Sequence, residues 1–140
     1  SSTLYADSVG SGLGSLSKRR LDHFGISFSH EEPIELIRFE DYWINELEKK
    51  QINICKIDVE GHELNVLEGF GDAINHVDII QFEFGGCNID TKTYFQDFWY
   101  FFNKKKFQLY RITPFSTIPI KKYREIDETF MTTNFIAKKI

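Results

Sequence analysis

The run Ile52, Ile54, Cys55, Ile57, Val59 constrains this chain more than any other feature. It is rich in β-branched residues and leaves little room for a solvent face, the pattern of a strand buried inside a parallel sheet. Gly61 breaks it, and Leu64, Leu67 and Phe70 then recur at helical spacing until Gly69 and Gly71 stop the helix. The unit repeats. Residues 77–84 form a second apolar run ending at Gly85-Gly86, and Tyr94, Phe95, Phe98, Phe101 and Phe102 follow as one helical stripe. Upstream, Ile34, Leu36, Ile37 and Phe39 predict a strand, after which Glu40-Asp41 opens a helix with Trp43, Ile44 and Leu47 on one face. Downstream, Phe107, Leu109 and Ile112 predict one strand and residues 130–137 another, across a Pro119 and Lys-rich connection without a helix. Alternating strands and helices imply an α/β sheet, and the last two strands imply an antiparallel, hairpin-like ending.

At 140 residues the chain fits a single domain but is short for a complete doubly wound enzyme. Fourteen Phe residues fall largely in the periodic segments, so they read as core filling and not as a stacking platform for bases. Acidic residues outnumber basic ones by 21 to 17, which gives no general attraction to nucleic acid or an anionic membrane. The run Lys104-Lys105-Lys106 sits where a helix should end and complements its dipole. Two cysteines without C-x-x-C spacing make no disulfide framework, and the apolar stretch at 98–102 is far below membrane-spanning length. A cytoplasmic location, without nucleic-acid or membrane partners, is the expectation.

Ligands of open α/β sheets bind outside the carboxyl ends of the strands, so the residues after each strand matter most. After the first run come Asp58, Glu60, Gly61, His62 and Glu63. The strand period puts Asp58 and Glu60 on one face, where a second carboxylate and burial would raise one pKa toward that of a general base. Alternatively, Asp58 or Glu60 caps the next helix. His62 is either a proton acceptor or an exposed first-turn residue. Val66 stands where a H-E-x-x-H motif needs its second histidine, and a structural metal has no support. After the second run, Glu83, Asn88 and Asp90 offer polar contacts to a hydroxylated substrate beside Gly85-Gly86, or Asn88 and Asp90 cap a tight turn. Cys87 has no base that can be named nearby and reads as a packed thiol.

The segment Lys56-Ile57-Asp58-Val59-Glu60-Gly61-His62-Glu63-Leu64, with Val66-Leu67-Glu68-Gly69, resembles the signature of FkbM-type methyltransferases. The resemblance extends to residues 10–16, 39–42, 82–88 and 132–135. It implies a Rossmann-like class I methyltransferase sheet, S-adenosylmethionine as methyl donor, and O-methylation of a hydroxyl on a sugar, polyketide or related metabolite. It also implies that residues 1–140 are a single partial domain, the C-terminal two-thirds, with the cofactor loop and the acid after the second strand lying upstream of Ser1. By the same resemblance Asp58 ends the fourth strand, beside the reacting methyl, as a catalytic and cofactor contact. Glu60 and His62 join it as catalytic candidates, and Glu83 and Asn88 as substrate contacts.

Two other readings stand beside this one. A truncated, non-enzymatic module would bind another chain, or a second copy of itself, through an exposed sheet edge. A nucleotide-dependent oxidoreductase would use Gly10, Gly12 and Gly14, with Glu40 reading a ribose, although the strand before that loop is short.

Overall fold

The computed structural model describes residues 1–140. A two-stranded antiparallel sheet, β1 (Ser2–Ala6) with β2 (His30–Ile34), precedes a five-stranded sheet. The latter is built from β3 (Ile52–Ile57), β4 (Val77–Phe84), β5 (Phe107–Ile112), β6 (Thr117–Ile120) and β7 (Thr133–Lys139), in the order β3-β4-β7-β5-β6. Four helices complete the α/β fold: α1 (Phe39–Asn45), α2 (Glu63–Gly69), α3 (Cys87–Thr91) and α4 (Phe95–Lys104).

β4 has the predicted bounds. Its even-numbered residues Ile80, Phe82 and Phe84 are buried and meet Phe95, Phe98 and Phe102 of α4 in a core that also takes Ile57, Leu67, Phe70, Leu109, Phe135 and Ala137. Each fully buried Phe contributes about 1.5–3 kcal/mol of transfer free energy, which explains the phenylalanine content. α4 starts where the Asp97 carboxylate accepts the Tyr94 N–H at 2.8 Å. The Glu128 carboxylate, distant in sequence, accepts the Phe95 and Gln96 N–H groups at 2.8 and 2.9 Å. The helix ends at Lys104, and Lys106 has a φ of 60°.

Three expectations need correction. The alternation at 34–39 does not make a strand: β2 stops at Ile34, and Ile37 is 75% exposed because nothing pairs with it. The first apolar run is not buried on both faces. β3 ends at Ile57, and Ile54 is 68% exposed because it lies on the sheet face opposite the core, whereas Ile57 on the core face is buried. The last two predicted strands do pair antiparallel, β5 with β7, but not as a direct hairpin, because a further strand lies between them in the chain. β5 forms its hairpin with β6, a strand in which Pro119 is tolerated because it lies at the other edge, while β7 inserts between β4 and β5, antiparallel to both. The reading of residues 1–17 as a short extended piece entering a loop holds: Gly10–Gly14 opens no helix, Tyr5 pairs with Ser15 and the chain continues toward β2, so the strand-loop-helix of a nucleotide fingerprint is absent. Glu40 instead accepts the Asp72 N–H at 2.7 Å.

The opposite sheet face carries Ile54, Lys56, Ile79, Gln81 and Glu83, which are half-buried or exposed. Strand alternation therefore keeps Glu83 out of the core while its neighbours Phe82 and Phe84 fill it.

Candidate functional site

β3 and β4 run parallel with Ile57 opposite Phe82, so the residues leaving β3 stand beside Glu83. The strand period does not carry through Glu60 as predicted, because Glu60 adopts a φ of 51° and Gly61 one of 101°. The turn nevertheless gathers the carboxylates: one oxygen each of Asp58, Glu60 and Glu83 lie within 4.8 Å of one another. A Cβ at Gly61 would stand 2.9 Å from the Cys87 carbonyl oxygen, so the two strand-end loops touch here.

Neither Asp58 nor Glu60 caps α2. The residue that holds this turn is Glu63, whose fully buried carboxylate accepts the Val59 N–H at 3.1 Å and the Gly61 N–H at 3.1 and 3.2 Å. Asp58 is half-exposed and accepts from Lys56 Nζ at 2.9 Å. Glu60 accepts from Arg19 at 2.9 Å, and its backbone carbonyl accepts from Ser15 Oγ at 2.8 Å. Arg19, 11% exposed at its side chain, also reaches Asp90 at 3.4 Å, and Asp90 further accepts the Arg20 N–H. Ser15, Ser17 and Arg19 thus bring the loop after β1 onto the strand ends. Separations of 41, 45 and 71 residues hid these contacts from sequence reasoning, and only the basic run Lys18-Arg19-Arg20 hinted at an acidic neighbour.

His62 does have partners. Nδ1 meets Asn65 Oδ1 at 3.1 Å and Nε2 meets Ser17 Oγ at 2.9 Å. Because the amide oxygen only accepts, Nδ1 carries the proton of the neutral ring and Nε2 accepts the Ser17 hydroxyl, a tautomer assigned from this network. Asn88 is fully buried: its Oδ1 accepts the Gly85 N–H at 2.9 Å, holding the turn between β4 and α3, and its amide nitrogen has no partner. Cys87 is a buried thiol pushed up to about 12, first by burial and then by Glu63 and Glu60, so it supplies no thiolate near neutrality.

Burial is also the first cause that raises the Glu60 carboxyl, with Arg19 opposing it and Asp58 and Glu63 adding to it. For Glu83, burial again leads, followed by Asp58, Glu60 and Glu63, with Lys56 pulling the other way. A carboxyl held above its unfolded value binds its proton more tightly in the folded chain. Its ionisation therefore costs stability as pH rises through the raised value, and the cost vanishes below the ordinary carboxylate value. Urea unfolding of Glu83→Gln between about pH 4 and about pH 8 should show a flatter fall in stability than the parent chain. An unchanged pH dependence would mean that Glu83 ionises in the fold without cost.

The arrangement is suited to holding a cation and accepting a proton. Lys56 and Arg19 already engage Asp58 and Glu60, whereas no basic group forms an ion pair with Glu83. A family model described as Methyltransferase FkbM domain matches residues 2–128. No curated protein and no solved structure matches the chain.

Proposed function

Because the chain belongs to the FkbM methyltransferase domain family, we propose that it transfers a methyl group from S-adenosylmethionine to a hydroxyl of a small metabolite such as a sugar or polyketide. The observation that carries this reading is the convergence of Asp58, Glu60 and Glu83 from two adjacent strand ends. The donor fits the chemistry of these residues, since its sulfonium and ammonium groups are cations and the desolvated carboxyls of Glu60 and Glu83 repel one another until a cation relieves them. Asp58 and Glu83 would hold that cationic end. When bound, the donor supplies an electrophilic methyl carbon.

The chain's own residues then align and deprotonate the acceptor. Asp58, at the rim, accepts the hydroxyl proton on its carboxylate. Arg19 opposes the effect of burial by favouring the ionised form of Glu60, and it holds the side chain beside the cluster. Ser17 and Asn65 fix the His62 ring, whose Nε2 takes a proton from the acceptor only by relay through the Ser17 hydroxyl it already binds. Asn88 serves through the Gly85 turn and Glu83 through direct contact with acceptor or donor.

We read β3-β4-β7-β5-β6 as the later part of a Rossmann-like class I sheet, and residues 1–140 as the C-terminal two-thirds of its domain. The reversed β7 between β4 and β5 supports this reading, as does the open edge of β3, where further strands would pair. The same edge also favours a second reading, a module that pairs with another chain or a second copy through β3.

Calorimetric titration with S-adenosylmethionine and with NAD tests the assignment, on this chain and on one extended upstream. The methyl donor should bind the extended chain and NAD neither; NAD binding would overturn the reading. Sedimentation of the same samples addresses the self-pairing form of the second reading, which requires a dimer of the short chain.

A further inference from the structure

The cavity between β5, β6 and the segment after β6 measures about 390 Å³, a size that accommodates a small organic ligand. Its walls pair apolar surface from Ile118, Pro119, Ile120 and Phe135 with four cations, Arg111, Lys121, Lys122 and Arg124, and a single carboxylate, Asp127. Arg124 uses that carboxylate fully: its guanidinium lies 2.9 Å from Oδ1, and its backbone N–H donates to Oδ2 at 3.0 Å. Arg111, Lys121 and Lys122 form no ion pair. Three uncompensated cations lining one cavity of a chain with net charge -4 repel one another, and an entering anion removes that repulsion.

The walls are held in place. β6 pairs with β5 through Leu109 with Ile120 and Arg111 with Ile118, and Gln108 Nε2 donates to the Ile120 carbonyl at 2.9 Å. Beyond Lys122, the Tyr123 hydroxyl donates at 2.9 Å to Glu128, which caps α4. The Arg111 guanidinium lies 6.0 Å from the centre of the Phe135 ring, which stations its charge against an aromatic wall.

The cavity is separate from the carboxylate site. Paired residues on neighbouring strands share a sheet face, so Arg111 lies with Phe135 and Phe82, whereas Glu83 lies with Asn134 on the other face. We propose that this cavity binds a small ligand carrying a phosphate or carboxylate next to an apolar portion. Arg111 is its main anchor, Lys121 and Lys122 supply further charge, and Ile118 and Phe135 cover the apolar part. The proposal does not depend on the methyl-transfer reading.

Amide spectra of the labelled chain titrated with phenyl phosphate, benzoate and benzyl alcohol test it. At least one of the two anions should shift the amides of Arg111, Ile118, Lys121 and Lys122. The tighter of the two identifies the preferred oxyanion, and benzyl alcohol should leave these signals in place. Losing one charge-assisted contact in Arg111→Gln should weaken binding about tenfold or more. The exposed pair Lys121→Gln/Lys122→Gln should show the same loss should Arg111→Gln fail to fold, while Lys104→Gln, on the surface of α4, should show none. Three results would overturn the proposal: no shift at these residues with either anion, equal shifts with benzyl alcohol, or parent-like affinity in a folded cavity variant.

Discussion

Asp58→Asn should lower methyl transfer to a hydroxylated acceptor by about 100-fold or more, the scale on which a positioned proton acceptor contributes, while thermal unfolding stays close to that of the parent. The two parts are independent. Asp58 is half-exposed and its one ion pair, with Lys56, is exposed on both sides, so solvent screening leaves little stability to lose. Asn keeps the shape and the hydrogen-bonding oxygen but has no basic carboxylate. Turnover should be measured on the chain that binds the donor in the titration above. Full turnover in a folded Asp58→Asn protein would remove Asp58 from the mechanism, and parallel losses of turnover and stability would assign it a structural role.

Phe82→Ala is expected to lower the free energy of unfolding by about 3–5 kcal/mol, the range for deleting a buried aromatic ring from a well-packed core. Phe82 is fully buried, and its ring centre lies 4.9, 5.2 and 5.6 Å from those of Phe98, Phe102 and Phe135, so one truncation removes contacts to both α4 and β7. Those neighbours are anchored in separate elements and cannot all collapse into the space left behind. Urea denaturation checks the value, with Phe82→Leu expected to lose less. A loss below about 1 kcal/mol for the alanine variant would contradict the packing described here. Glu83 is the next residue on β4, so the Ala variant should also weaken donor binding, whereas Asp58→Asn leaves the core intact.

The elements legible in advance are those in which one face of the period is fully used. The residue 77–84 run and the stripe of α4 face each other across the core, where Phe95, Phe98 and Phe102 are buried, while Tyr94 at the stripe's start stays exposed. Reading failed where the partner was the deciding factor. The alternation at 34–39 met no strand, while 117–120 became a strand despite Pro119 because β5 offered it one free edge. The β-branched run at 52–59 suggested burial on both faces, yet only the face carrying Ile57 meets the core, and Ile54 on the other face is exposed.

The placing of Asp58, Glu60 and Glu83 at the ends of adjacent strands was legible, because each acid directly follows or ends an apolar run. Glu63 was not, since a glutamate in the first turn of a helix reads as a solvated dipole partner, whereas here its carboxylate is buried beneath the backbone of the turn. Arg19 was missed for a different reason: its two carboxylate partners come from two other loops.

Taken alone, the order of residues determined the periodicity, hence which segments are strands or helices in the core, and which acids follow the strands, because those properties depend on neighbours within a turn or two of the chain. Only the tertiary structure decided that β7 inserts between β4 and β5, that Glu63 rather than Asp58 or Glu60 holds the turn, and that Arg19 reaches across to the acids. Those outcomes depend on groups far apart in the chain, and their proximity follows from the burial of a shared core, which local spacing does not encode.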